Sequence, residues 1–322
     1  MGRLTVLATL ILIGSTATSP AQGSKPKTVG ILCHCGSGSP FFRAVEAGLV
    51  ELGWHDGKTI RLVRRTSDGD ATRLRSQAEE LVALKPDVIF AGFTPAVVAV
   101  QERTSAIPVV FAGVSDPVEI GATHQINHPD RNLTGLTTIN RELMPKRLEL
   151  LQAALPNLTS VGYLANPNYA LHQMQLGEIN EAAHRFGLTL VTVETTDPAG
   201  IGRAFAQFAE EHVGAVLVQQ DPLFTGQPGQ ILALAEANRL PVMYPLRSYY
   251  DAGGLMWYGG DVVGQFHDAA SYIDRILKGA KPGSLPIERP SKLQLTINLG
   301  LAARIGIEIS PALINRADEV ID

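Results

Sequence analysis

The amino-acid sequence predicts an α/β protein of two lobes, each built around a parallel sheet flanked by helices. Three observations support this prediction. From Thr28 onward, short β-branched runs alternate with segments of helical period, and this alternation restarts after about residue 138. At 322 residues the chain is also longer than one ordinary domain. Because single helices separate successive strands, right-handed crossovers place helices on both faces of a parallel sheet.

The first unit begins at the buried run TVGIL and ends at PVVFAG. Its predicted elements are strands over 28–32, 60–64, 87–92 and 108–113, and helices over 41–52, from Thr72 to Lys85-Pro86, and over 95–104. The helix that starts at Thr72 repeats apolar residues at helical spacing, which gives it one face for the sheet. Pro86 ends that helix because proline lacks the N–H that a helix interior needs.

The second unit repeats the pattern. Its predicted elements are helices over about 142–155, 171–186, 199–211 and 227–238, and strands over 161–166, 189–194, 215–221, 241–245 and 254–259. An amphipathic helix over 265–278, a Pro/Gly-rich crossing over 281–290, a strand over 293–298 and two closing helices follow. No Gly/Ser-rich linker separates the units, so we expect lobes joined by several short crossings.

Composition excludes several classes of protein. Lys and Arg total 27 against 31 for Asp and Glu, so the net charge of −4 lacks the basic excess of a nucleic-acid binder. Two cysteines are too few for a disulfide framework or a four-cysteine zinc site. With 45% hydrophobic and 18% charged residues, the chain has enough apolar side chains for folded cores.

Residues 1–23 have the pattern of a secretory signal peptide. Arg3 precedes ten apolar residues, Leu4–Ile13, and a small-residue segment ends at Ser19-Pro20-Ala21. Ten residues are too few to cross a bilayer as a helix, although a short buried helix or an uncleaved anchor is the alternative. No cysteine precedes Cys33, so a lipid anchor lacks its attachment residue. We therefore expect an exported, periplasmic protein.

Candidate ligand contacts lie in the loops that follow the strands, because open α/β sheets bind ligands beyond the carboxyl ends of their strands. These candidates are Ser39, Phe93, Thr94, Pro95, Ala96, Ser115, Asp116, Asn166, Asn168, Asp221 and Arg247. The helix start at Thr94–Ala96 could hold a carboxylate, and Asp116 or Asp221 could hold an ammonium group. The alternative for Thr94, Ser115 and Asn166 is that they only cap helices.

Motifs for chemistry are missing from the sequence. Gly36-Ser37-Gly38 resembles the start of a dinucleotide fingerprint, but Phe41 stands where the third glycine is needed. Neither a phosphate-binding GxxxxGK[ST] loop nor a GxSxG nucleophile elbow occurs. Cys33-His34-Cys35 alternates in direction along an extended segment, so a core thiol and a solvent-facing turn are favoured over a metal site. We expect no catalytic residue, metal or cofactor.

Longer stretches resemble the periplasmic substrate-binding proteins of ABC transporters, in the family that includes tryptophan- and tyrosine-binding proteins. The matching stretches include FRAVEAGLVELGWHDGKTI (42–60), RLRSQAEELVALKPDVIFAGFTPAVVA (73–99), IPVVFAGVSDPVEIG (107–121), RLPVMYPLRSYYDAGGLMWYG (239–259) and RILKGAKPGSLPIERPSKLQLTINL (275–299). Two stretches depart from the family, HPDRN (128–132) and the first loop, CHCGSGSPFF. If the first loop lines the cleft, its departure predicts a ligand other than the family's aromatic amino acids.

The resemblance implies a type I periplasmic-binding-protein fold of two Rossmann-like lobes, with three crossings near residues 138, 261 and 290 and a ligand cleft between the lobes. Lobe 1 would comprise 28–138 plus 262–290, and lobe 2 would comprise 139–261 plus 291–322. By the same resemblance, first-lobe contacts map onto Thr94–Ala96 and Asp116. Second-lobe contacts map onto Asn166, Asp221 and the Arg247 region.

The function expected from the sequence is that of a monomeric solute receptor of an ABC importer. It would bind an amino acid, aromatic in the family, or a related small organic acid, close by hinge motion, and deliver the solute to a membrane permease. The alternatives are an exported two-domain α/β enzyme with its site in the same cleft, and a ligand-sensing module without transport.

Overall fold

The structure, a computed structural model, describes residues 26–68 and 70–322. It confirms the predicted α/β class, with two lobes each built on its own sheet. Residues 1–23, predicted to be a signal peptide, lie outside the described residues. Within the described ranges, no helix has both the length and the apolar character needed to cross a membrane.

The first sheet has five parallel strands in the order β2-β1-β3-β4-β5. The strands are β1 (Lys27–Cys33), β2 (Ile60–Thr66), β3 (Val88–Gly92), β4 (Val109–Val114) and β5 (Leu133–Thr137). The intervening helices are α1 (Pro40–Glu51), α2 (Thr72–Ala83) and α3 (Thr94–Gln101). Every residue of β3, β4 and β5 is buried, because helices cover both faces of a parallel sheet.

The second sheet has seven strands in the order β12-β11-β10-β9-β8-β6-β7. The strands are β6 (Ser160–Ala165), β7 (Thr189–Glu194), β8 (Ala215–Val218), β9 (Val242–Tyr244), β10 (Met256–Gly259), β11 (Gln294–Asn298) and β12 (Glu319–Ile321). The helices are α4 (Asn140–Ala154), α5 (His172–Arg185), α6 (Pro198–Glu210), α7 (Pro222–Thr225), α8 (Pro228–Ala237), α9 (Arg247–Asp251), α10 (Val262–Leu277), α11 (Leu299–Ile305) and α12 (Pro311–Ile314). The expectation of a purely parallel sheet is wrong at one pair, since β11 runs antiparallel to β10.

Helix α10 follows strand β10 of the second sheet in the chain but packs on the first lobe. It lies against α1 so closely that a Cβ on Gly48 would sit 2.5 Å from the carbonyl oxygen of His267. Phe266 of α10 packs its ring against those of Phe41, Phe90 and Phe93, with centroids 5.1–5.4 Å apart. The first lobe therefore consists of the first sheet with α1, α2, α3 and α10. The second lobe consists of the second sheet with the remaining helices.

The chain passes between the lobes at three places that lie side by side. These crossings follow β5, β10 and the Pro/Gly-rich segment that ends near residue 290. The backbone N–H of Thr137 donates to the carbonyl of Glu288 at 2.9 Å, and the side chain of Gln265 donates to the carbonyl of Thr137 at 3.0 Å. All three crossings are thus linked by hydrogen bonds near one axis, as a hinge between two lobes requires.

Several short elements were not predicted from the sequence. The strand β5 was missed because Gly135 interrupts its apolar pattern. Glycine is needed there, since Gly135 has φ +151° and a Cβ would lie 2.0 Å from the carbonyl oxygen of Phe111 on β4. Helices α7 and α9 have four and five residues, and strand β12 has three, so they are too short to leave a periodic pattern.

Candidate functional site

Both sheets place their topological switch points at the same cleft. In the first sheet β1 lies between β2 and β3, and in the second sheet β6 lies between β7 and β8. Chain connections leave such a strand in opposite directions, which opens a crevice at its carboxyl end. The loops that follow β1, β3, β6 and β8 all contribute to one cavity.

This cavity has a volume of about 680 Å³, within the usual range for small-molecule sites. His34 and Pro95 line it from the first lobe, and Asn166, Tyr169 and Asp221 line it from the second lobe. A smaller void of about 10 Å³ lies deeper, with room for about one water molecule. Its lining comprises Phe93, Thr94, Pro95, Gly113, Ser115, Tyr169, Gln220, Asp221, Pro222 and Thr225.

Asp221 is the buried charge of the cleft. Its side chain is only 4% exposed, and one carboxylate oxygen accepts from Asn166 Nδ2 at 3.0 Å and from the N–H of Leu223 at 2.9 Å. The second contact caps helix α7. The other oxygen has no hydrogen-bond donor among the described residues. Burial raises the pKa of Asp221, while these two donors oppose that rise.

Asn166 and Asn168 form the turn after β6. Asn166 Oδ1 accepts from the N–H of Asn168 at 3.0 Å, so Asn166 closes a turn instead of capping a helix, and α5 begins only at His172. The capping alternative for Asn166 is therefore wrong. Both residues line the large cavity. Asn166 also orients Asp221, which joins two loops of the second lobe into one surface.

Thr94 and Ser115 form the polar edge of the first lobe. The residue before helix α3 is Phe93, and no side chain caps this helix, so the predicted capping role of Thr94 is wrong. Instead, Thr94 Oγ1 accepts from the N–H of Ser115 at 3.3 Å. Ser115 Oγ in turn accepts from the backbone N–H of Arg141 in the first turn of α4. Ser115 therefore does bond a free N–H at the start of a helix, but that helix belongs to the other lobe.

The aromatic side chain of Phe93 packs over Gly113 of β4. Phe93 has φ +69°, a value that bulky residues rarely adopt. Such backbone outliers concentrate at binding sites, where the surrounding structure holds them in place. The conformation turns the start of α3, with Thr94 and Pro95, toward the cleft.

Tyr169 crosses the cleft from the second lobe. It lies in the loop after β6 and lines both cavities, and Thr94 and Ser115 line the smaller one beside it. Burial raises the pKa of Tyr169 to about 12. Tyr169 thus shares the smaller cavity with Thr94 and Pro95, where the sequence predicts a contact for a ligand carboxylate, and that contact stays a prediction.

Asp116 is committed to a contact between the lobes. One of its oxygens accepts from the N–H groups of Val118 and Glu119, both at 3.1 Å, and the other accepts from Arg141 Nε at 2.8 Å. Arg141 also bonds Glu178 of α5. Asp116 lines neither cavity and in this arrangement joins the two lobes, whereas the buried Asp221 lines both cavities.

His34 and its flanking cysteines lie at the carboxyl end of β1, on the first-lobe side of the cleft. The imidazole lines the large cavity, and its Nδ1 contacts the hydroxyl of Ser67. Burial lowers the pKa of His34 to about 4, against an opposing effect of Asp70, so the ring is neutral at pH 7. Cys33 and Cys35 are joined by a disulfide, which corrects the free-thiol interpretation. Side chains alternate in direction along an extended segment, so Cys33 and Cys35, two residues apart, point to the same side. Their Cα atoms are 5.2 Å apart, a distance that a disulfide can span.

The match to a known protein family extends over nearly the whole chain. The sequence profile of the family described as "ABC transporter substrate binding protein" matches residues 40–321. This chain belongs to that family.

Known relatives of this substrate-binding protein agree in fold. A tyrosine-binding protein of Clostridioides difficile is 23% identical over 258 residues, covering 80% of this chain and 73% of that protein. A conserved domain protein from Vibrio cholerae superposes with a TM-score of 0.84 at 27% identity, covering 92% of this chain and all of the other. The ABC domain from Streptococcus pneumoniae in complex with L-Trp gives a TM-score of 0.82 at 23% identity, with the same coverage.

The substrate-binding protein brings most of its predicted ligand contacts to the cleft, but not all. Ser39 lies at the start of α1 and caps that helix by accepting from the N–H of Phe42 at 3.3 Å. Ala96 is fully buried in the first-lobe core. Arg247 bonds Glu319 at 2.6 Å and Asp251 at 3.3 Å. These three residues line neither cavity.

The cleft residues that were not among the predicted contacts include His34, Tyr169 and Gln220. For His34 and Gln220 the available signal was a position just after a strand that borders a switch point, since His34 directly follows β1 and Gln220 is the second residue after β8. Tyr169 has no such signal, because its position depends on how the loop after β6 turns and on how the lobes meet.

Proposed function

We propose that this protein is an extracytoplasmic receptor that binds an aromatic amino acid of the tryptophan or tyrosine type and presents it to an ABC permease. The ligand lies in the 680 Å³ cavity between the lobes. The relatives that bind tyrosine or tryptophan support the ligand class. Residues 1–23 serve as the export signal that brings the protein to the periplasm, where it acts as a monomer.

The observation that carries the proposal is the buried carboxylate of Asp221. A charge that is 96% removed from solvent is costly unless it meets a partner of opposite charge. Its donors in the protein are a neutral amide and a backbone N–H, both on one oxygen. A ligand ammonium group at the other oxygen completes the site with a charge-assisted hydrogen bond.

Closure of the lobes couples to binding through contacts that span the cleft. The ion pair of Arg141 with Asp116, and the smaller cavity that Tyr169 lines together with Thr94 and Ser115, both need the lobes together. A ligand held from both sides adds to these contacts only in the closed form. It therefore shifts the equilibrium toward closure by its difference in affinity for the two forms, and the permease recognises that form.

The test is a thermal-shift and calorimetric titration with L-tryptophan, L-tyrosine and the other amino acids. A ligand at about 100 times its dissociation constant adds about 2.7 kcal/mol to the free energy of unfolding, which raises the melting temperature by several degrees. The proposal expects an aromatic amino acid to give the largest rise. If no amino acid raises the melting temperature, the proposed ligand class is wrong.

Two alternatives make different predictions. An exported enzyme needs an accessible nucleophile beside a base, and the cleft pair that comes nearest, Ser67 with His34, has its serine fully buried. A sensing module would bind the same ligand without transport. Uptake of labelled tryptophan by cells that lack the gene separates these two roles. Deleting a transport receptor reduces uptake, whereas deleting a sensor leaves uptake unchanged.

A further inference from the structure

The disulfide between Cys33 and Cys35 closes a three-residue ring at the end of β1, where the switch point of the first sheet opens into the cleft. Cys33 is fully buried and Cys35 nearly so. The residue inside the ring is His34, whose side chain lines the ligand cavity. The bond therefore constrains the backbone of a residue that forms part of the binding surface.

Two further contacts fix His34 in place. Its backbone N–H donates to the carbonyl of Gly92 at the end of β3, at 3.2 Å. Its Nδ1 contacts the hydroxyl of Ser67, the residue that follows β2, and the N–H of Ser67 donates to the carbonyl of Cys33 at 3.2 Å. His34 is thus held by the loops after three neighbouring strands, with both backbone contacts adjoining the disulfide ring.

The remaining ring nitrogen, Nε2, is available to a ligand. Among the described residues, the one side-chain partner of the imidazole is Ser67, at Nδ1, and none forms a hydrogen bond with Nε2. Burial keeps the imidazole neutral, with a pKa of about 4. The other ionisable side chains that line the same cavity are Asp68, Asp70, Arg75, Glu102, Tyr169, Asp197 and Asp221. Asp70 is the one whose charge acts on the ring. A neutral imidazole exchanges one directional hydrogen bond with a ligand and adds no charge.

We propose that the Cys33–Cys35 disulfide is a positioning element that fixes His34 as a ligand contact of the cleft. The inference rests on the proposed function, because the cleft is the ligand site in both. Opening the bond loosens the strand end and lets the imidazole leave Ser67. In that step a dithiol reductant attacks one sulfur and then releases itself as a cyclic disulfide, so it is oxidised by two electrons while Cys33 and Cys35 become thiols.

The experiment combines a double-mutant cycle with NMR. Calorimetry with L-tryptophan and L-tyrosine compares the natural chain with His34→Ala, with the paired change Cys33→Ala and Cys35→Ala, and with all three changes together. We expect His34→Ala and the cysteine-free variant each to weaken binding about tenfold, and the combination to weaken it no further, because both remove the same contact. Dithiothreitol should weaken binding by the natural chain and leave the cysteine-free variant unchanged.

The NMR signal of the His34 imidazole gives a readout that does not need a ligand. In the natural chain it should not titrate between pH 5 and 8, whereas in the cysteine-free variant its pKa should rise toward the ordinary value as the ring becomes exposed. An identical titration in both chains, or affinity losses that simply add, would overturn the inference. If neither amino acid binds the natural chain, the proposed function fails, and the imidazole signal alone then decides between a fixed and a free His34.

Discussion

Replacing Asp221 by asparagine removes the buried charge of the cleft while keeping its shape. Asparagine retains an oxygen that can accept from the N–H of Leu223, so helix α7 keeps its cap. What disappears is the proposed charge-assisted hydrogen bond that a ligand ammonium group donates to the second carboxylate oxygen. Such a bond contributes about 1.5–3 kcal/mol, which corresponds to a loss of affinity of roughly 10- to 150-fold.

The pH dependence of binding provides a second measure of the same residue. Burial raises the pKa of Asp221, so its carboxylate takes up a proton at a higher pH than an exposed aspartate. The neutral acid no longer attracts the ammonium group. Affinity for L-tryptophan should therefore fall as the pH is lowered through this raised pKa, and the fall should be absent in Asp221→Asn.

Isothermal titration calorimetry measures these affinities, and two further variants serve as controls. Asp197→Asn changes another carboxylate that lines the same cavity and caps α6, but its side chain is 54% exposed. A change of less than about 1 kcal/mol is expected there. Asp221→Ala should lose the helix cap as well, and with it about 0.5–2 kcal/mol of folding stability. Unchanged affinity in Asp221→Asn would refute an ammonium contact at Asp221.

Three other predictions concern stability and closure. Gly48→Ala should lower the free energy of unfolding in urea by about 1–3 kcal/mol, because a Cβ there meets the backbone of α10. Gly177→Ala, which has open space around it, should raise that free energy by about 0.5–1 kcal/mol. Equal effects of the two changes would contradict the packing of α1 against α10. Arg141→Met removes the ion pair with Asp116 and should shift the ligand-free protein toward the open form, seen as a larger radius of gyration in X-ray scattering, and an unchanged radius would argue against this role. Between pH 6.5 and 4, His34 takes up a proton in the unfolded chain but stays largely neutral in the folded chain. Lowering the pH over this range should therefore cost the natural protein about 3 kcal/mol of folding stability through His34, and His34→Gln should not show this loss. Urea unfolding of both proteins at the two pH values checks the prediction.

The general position of the cavity between the lobes could be predicted from the sequence because it depends on strand order. Loops after predicted strands contained Pro95, Asn166 and Asp221, and these residues do line the cavity. Their roles were harder to predict. Asp116 and Asp221 both follow strands and both precede a proline, yet one pairs with Arg141 and the other is left with a free oxygen. Local sequence does not distinguish them, because the difference lies in which side chain of the other lobe approaches.

The elements that sequence alone determined are those with a strong local period. The strand TLVTVE is found at its predicted bounds, 189–194, and the long amphipathic helices lie within a few residues of prediction. Apolar periodicity and proline positions act over neighbouring residues, so they can be read without knowing the rest of the fold. The similarity to substrate-binding proteins over long stretches likewise needed no coordinates.

Tertiary structure decided the contacts between distant parts of the chain. It placed Tyr169 beside Thr94 and Ser115, brought α10 back onto the first lobe, and reversed β11 against β10. It also joined Cys33 to Cys35 beside the cleft. Each of these depends on how two surfaces meet after the local elements have formed. Helix and strand propensities differ between residues by energies no larger than those of such contacts, so tertiary packing overrides them. Periodicity and spacing in the sequence therefore do not determine which distant residues meet.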